Sequence, residues 1–64
     1  MYYIYHDELD SGLVYWNRRE RRFQSYLTKS CLYPTFKGAS RVDSHIMVMW
    51  GLRSIGVHRV GVPH

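Results

Sequence analysis

The chain has 64 residues, of which 45% are hydrophobic, 16% aromatic and 22% charged; this is the composition of one folded domain, 1–64, and it argues against disorder. A domain this short buries only about 60% of the surface its unfolded chain exposes, so a deep ligand pocket of the usual ~300–1,000 Å³ would consume its core. Nine Lys and Arg against five Asp and Glu give a net charge of +4, and the single cysteine, Cys31, excludes an intramolecular disulfide and a thiolate-rich metal site.

The chain opens on Tyr2-Tyr3-Ile4-Tyr5, an aromatic and β-branched run that predicts a strand. It lacks the basic flank and long apolar core of a signal peptide. Residues 7–12 form a turn-like stretch ending in Gly12, and Leu13-Val14-Tyr15-Trp16 reads as a second strand. Two such runs around a Gly-containing loop predict a β-hairpin. Arg18, Arg19, Arg21 and Arg22, interrupted only by Glu20, follow at once, and at least two of them are expected to project from the hairpin's tip or edge. Phe23 to Leu27 either prolongs the hairpin arm or begins an irregular connection. Cys31-Leu32-Tyr33, stopped by Pro34, predicts a brief third edge strand.

Thr35 stands where a helix N-cap is expected. Phe36, Ala39, Val42, Ile46 and Met49 recur at spacings of three and four, which marks one helix face. The pattern predicts a helix over 35–54 with Gly56 as its stop. The uncharged apolar stretch 44–52 is far shorter than the ~20 residues a membrane span needs, so a soluble, cytosolic protein is expected. Val57, Val60 and Val62, with Gly61 and Pro63, predict a closing strand. The order is β-β-β-α-β and the fold class α+β: a small antiparallel β-sheet (hairpin, short third strand, closing strand) packed by one α-helix.

That layout resembles small bacteriophage accessory proteins. The matching residues are Tyr3-Ile4, Gly12-Leu13-Val14-Tyr15-Trp16, Cys31-Leu32-Tyr33, residues 39–50 and Val57-His58-Arg59-Val60-Gly61-Val62. Gly38, His45 and Met47 depart from the usual helix composition of Glu, Lys and Ala. No functional residue carries over. The resemblance implies a protein that binds and disables host machinery in the cytoplasm of the host cell.

Catalytic chemistry finds little support in the residues. His6, His45, His58 and His64 include no i, i+4 pair and stand beside no cysteine pair, so they are expected to be surface or capping residues. Cys31 lies in an apolar run, the setting of a buried inert thiol rather than a nucleophile. Asp7, Glu8 and Asp10 are expected in a solvated loop. Neither a phosphate-cradling loop nor a dinucleotide fingerprint occurs. No enzymatic activity, metal or cofactor is expected.

Binding chemistry has more behind it. Residues 1–10 carry a charge of −3, so the remaining fifty-four carry +7, and Arg outnumbers Lys seven to two. Guanidinium groups favour bidentate contact with carboxylate or phosphate and stack on rings. Tyr2, Tyr3, Tyr5, Tyr15, Trp16 and Tyr26 are many large rings for so small a core; Tyr3 and Tyr5 point outward if Ile4 points inward. The candidate partner-binding residues are Tyr15, Trp16, Arg18, Arg19, Arg21 and Arg22. The first reading is a non-catalytic inhibitor or modulator of a host nucleic-acid enzyme (polymerase, nuclease or CRISPR effector) acting by occlusion. The second is a small basic nucleic-acid-binding module with Arg–phosphate and Tyr–base contacts. In the third, the rings form a homo-oligomer interface.

Overall fold

In chain order the elements are β1 (Tyr2–Glu8), β2 (Gly12–Asn17), β3 (Arg22–Gln24), a single 3-10 turn at Lys29–Cys31, β4 (Leu32–Tyr33), α1 (Phe36–Trp50) and β5 (Ile55–Arg59). The computed structural model describes residues 1–8, 12–52 and 55–62. All strand pairings are antiparallel, and β1 lies at their centre. Tyr5 and His6 each pair with both β2 and β5, so those strands occupy opposite edges of β1. Tyr2 and Tyr3 pair with both β4 and β5, which places β4 on the β2 side. β3 extends the sheet beyond β2. The result is the expected α+β fold, one helix on a curled antiparallel sheet.

Strand alternation divides the residues between two faces. Tyr2, Ile4 and His6 of β1 share a face with Val14, Trp16, Phe23, Ile55 and Val57, and α1 covers it. Ile4 is fully buried there, in one cluster with Trp16, Tyr33, Ala39 and Ile46. The opposite face carries Tyr3, Tyr5, Tyr15 and His58. Tyr3 points away from Ile4 as expected, yet it is buried, because the rings of Tyr15, Tyr5 and His58 close over it at 5.3, 6.5 and 5.8 Å.

Thr35 does cap α1: its hydroxyl accepts from the Gly38 amide at 3.1 Å. The helix ends earlier than its periodicity suggests, at Gly51, whose φ of 65° is the left-handed conformation that stops a helix. Gly56 lies instead inside β5, opposite Tyr5, where a Cβ would stand 2.9 Å from the Tyr5 hydroxyl. Its missing side chain is the space the tyrosine ring occupies. Of the predicted apolar face, Ala39 and Ile46 are buried and Val42 half-buried. Phe36 and Met49 are exposed; Phe36 keeps an edge contact with Tyr2 at 5.8 Å.

Three strand boundaries also differ from the pattern-based reading. Asp7 and Glu8 belong to β1, opposite Leu13 and Gly12, and not to the turn; Asp10 lies outside the described residues. Cys31 sits in the 3-10 turn rather than in β4. The closing strand starts at Ile55 and stops at Arg59, so Val60 and Val62 fall in an exposed turn. Arg59 faces Tyr2, the first residue of β1, and beyond that pair the Val60 amide donates to the Met1 carbonyl at 2.9 Å. Pro63 and His64 lie outside the described residues.

The helix contact can be tested by contrast. Ile46→Ala removes a buried side chain and should cost about 2–5 kcal/mol. Met49→Ala, on the same sequence stripe but exposed, should stay within about 0.5 kcal/mol of the parent. Urea denaturation of both variants checks the assignment, which is wrong if the two lose equal stability.

A candidate groove between the arginine turn and the helix

The arginine cluster forms the turn of a second hairpin, β2–β3, rather than the tip of the first. Asn17 organises it. Its side-chain Oδ1 accepts from the amides of Arg19 and Glu20, both at 3.0 Å, and its carbonyl accepts from the Arg21 amide at 2.7 Å. Arg21 takes the left-handed conformation, φ 54°, that lets so short a chain reverse. The Arg18 amide donates to the Ser30 carbonyl at 3.0 Å, tying the turn to the 3-10 segment.

Below the turn lies a buried polar network. Asn17 Nδ2 donates to Gln24 Oε1 at 2.9 Å. Gln24 Nε2 then donates to the Tyr26 carbonyl at 2.9 Å and approaches Thr28 Oγ1 and Cys31 Sγ, both at 3.3 Å. The Cys31 thiol is fully buried and packed within this network.

Between this turn and the second half of α1 runs an open groove of about 490 Å³. Its apolar walls are Trp16, Val42, Ile46, Met49 and Trp50, and its polar groups come from Arg18, Arg21, Tyr33 and His45. Trp16 and Trp50 meet edge to face at 5.8 Å and 83°, and both pack on Phe23. The volume falls within the range of ligand sites, but the groove sits at the margin of the core instead of hollowing it.

Arg18 lies over the Tyr33 ring, 5.6 Å from its centroid. Neither Arg18 nor Arg21 has an ion pair or hydrogen bond on its guanidinium among the described residues. Tyr33 is buried and its hydroxyl has no hydrogen-bond partner there, an omission that costs about 1–3 kcal/mol. Burial pushes this phenol above its ordinary value of 10.0; Arg18 pulls it back in part, and the Cys31 thiol adds to the rise. It is neutral at physiological pH and can donate.

The six residues singled out from the sequence do not share one surface. Trp16, Arg18 and Arg21 line the groove. Trp16 is buried and supplies the wall rather than an exposed anchor. Tyr15, its neighbour in β2, faces the opposite side of the sheet, against Tyr3. Arg22 pairs with Glu20 through Nε at 3.0 Å, and Arg19 is exposed outside the groove. Sequence reasoning missed Tyr33, His45, Met49 and Trp50. The available signal was Trp50, a large ring four residues after Ile46 and so on the same face of the helix.

Elsewhere, His58 Nε2 bonds the Val62 carbonyl at 2.7 Å. Among the described residues no group of His, Cys, Asp and Glu gathers as a metal site, and no helix is long and apolar enough to cross a membrane. Compared with known proteins, the chain matches no family model, no curated protein and no solved structure.

Two substitutions probe this region. Asn17→Ala removes the turn's acceptor and strands the Gln24 carbonyl, and should cost about 1–3 kcal/mol by denaturation; an unchanged midpoint would refute its organising role. Asp43, on α1, has one carboxylate oxygen buried without a hydrogen-bond partner among the described residues, and burial raises its carboxyl above 3.8. The folded state therefore holds the proton to higher pH than the unfolded one, and stability falls as pH rises through that interval. Asp43→Asn should melt above the parent at neutral pH, with the difference vanishing below pH 3.8. Parallel melting-temperature profiles for the two proteins would show that the carboxylate carries no such penalty.

Proposed function

We propose that this chain is a non-catalytic protein-binding module that acts by occlusion, seating the groove and its rim on a partner protein. The observation that carries the reading is an aromatic groove with two guanidiniums on one rim that have no ion pair among the described residues, beside a largely exposed helix end. Met49 is 67% and Trp50 56% exposed, and both line the groove, an apolar surface that a helix turned to water does not need. Tryptophan, methionine and arginine are the residue types enriched where proteins bind one another. The resemblance of the sequence pattern to small phage proteins supports extending the proposal to a target, a host nucleic-acid enzyme, and to the host cytoplasm as its place of action.

Nucleic acid is the second reading, favoured by the +4 charge. A stacked single strand needs rings and cations along one track. Here Tyr15 faces away from the arginine turn's groove and Arg22 is neutralised by Glu20. That arrangement favours a protein partner.

Affinity capture from bacterial lysate, with and without nuclease, tests the choice. A stoichiometric protein should survive nuclease treatment and be lost with Trp50→Ala. In titrations against that protein, Arg18→Ala and Arg21→Gly should each cost about 2 kcal/mol or more, with Arg19→Ala and Arg22→Ala nearly silent. Glycine suits position 21 because of its positive φ. Capture that disappears with nuclease, together with even salt-dependent losses in all four variants, would establish the nucleic-acid reading instead.

A further inference from the structure

The groove specifies the chemistry of what fills it. We infer that it receives a short acidic–apolar segment of the partner protein: one carboxylate held at the Arg18–Arg21 rim, next to a large apolar side chain lodged against Trp16, Trp50 and Met49. This rests on the protein-binding reading above and narrows it to a segment type.

Charge complementarity carries the argument. Among the described residues, the lining holds two guanidiniums and no carboxylate. The one acid in the turn, Glu20, is held by Arg22 at 3.0 Å, so Arg18 and Arg21 have no counter-charge among the described residues. Two facing tryptophans are also a surface for a cationic ligand. Two guanidiniums on the same rim exclude that choice, since like charges brought together in a partly desolvated groove repel. A guanidinium fork matches a carboxylate in two parallel hydrogen bonds, which fixes the direction of the bound segment.

Tyr33 adds a neutral hydroxyl to the same lining. Its hydroxyl is buried and unpartnered among the described residues, and its ring lies under Arg18 in the groove lining. A carboxylate that draws Arg18 off the ring opens the hydroxyl to an acceptor. The apolar half of the ligand meets Met49, whose unbranched thioether adapts to varied shapes, and the exposed Trp50. The lining therefore selects a charge at one point and size beside it.

The test uses the intact chain and capped pentapeptides of the form Ala-Leu-X-Phe-Ala and Ala-Phe-X-Leu-Ala, with X as Asp, Glu, Asn or Lys. Binding is read by calorimetry and by the emission of Trp16 and Trp50. At least one acidic peptide should bind, its Asn counterpart about tenfold or more weakly, and its Lys counterpart not at all. Arg18→Ala and Arg21→Gly should each reproduce the tenfold loss. Tyr33→Phe should weaken the acidic peptide while leaving the melting temperature unchanged or higher, which a purely structural tyrosine would not do. Equal binding of the Asp and Asn peptides overturns the inference, as does displacement of the acidic peptide by oligothymidylate. If no peptide binds but the lysate protein is still captured through Trp50, the acidic-segment inference falls and the protein-binding reading stands. If neither binds, both fall.

Discussion

Hydrogen bonding of β1 along both edges is the constraint on which the rest of the structure depends. A strand paired on one side alone can slide or twist; β1 is held by β2 and β4 on one edge and by β5 on the other. Its alternation then assigns a face to every residue of its neighbours. A slip of one residue would exchange Ile4, fully buried under α1, with Tyr3, whose hydroxyl is accommodated among other rings on the opposite face. The same strand sets the register of β5, from Ile55 opposite His6 to Arg59 opposite Tyr2.

The tyrosine face shows how a chain this small stabilises a sheet covered by a helix on one side only. Tyr3 is buried by Tyr15, Tyr5 and His58 rather than by another layer of backbone. Gly56 makes this arrangement fit, because Tyr5 crosses the strand and lies in the space above it. Burial raises the Tyr3 phenol above 10.0, with the neighbouring Tyr15 and Tyr5 adding to the rise. A tyrosinate would be costly in such a cluster, so the face is built for the neutral phenols.

On the helix side the small core has a different consequence. The middle of α1 is buried at Ala39 and Ile46, and the second half of the helix runs out over the arginine turn with Met49 and Trp50 exposed. The groove is the space left between that overhang and the turn. Its rim is firm because the Asn17–Gln24 hydrogen bond and the Asn17 turn contacts hold the backbone of the arginines. Buried polar networks that are satisfied in this way specify one conformation more than they add stability. The guanidiniums are therefore presented from a fixed backbone, and only their side chains need ordering on binding.

How much of this was written in the chain follows from the range of each interaction. Tyr2-Tyr3-Ile4-Tyr5, the stretch from Leu13 to Trp16 and the three-and-four spacing of Ala39, Val42 and Ile46 are local patterns, and they determined the α+β fold and the inward side of its first strand and its helix. The same holds for Thr35 as N-cap, which needs only the amide three residues ahead. Tertiary structure alone decided which glycine stops the helix. Gly51 and Gly56 are equivalent in sequence, and they differ because one takes a positive φ while the other receives Tyr5 from β1. It also decided that Tyr15 and Trp16 part to opposite faces while Trp50 joins Trp16, since that depends on where a distant helix comes to rest. A backbone pattern fixes the side of an element on which a residue lies. What stands across from that side is set by packing between segments far apart in the chain, and the groove is made entirely of such meetings.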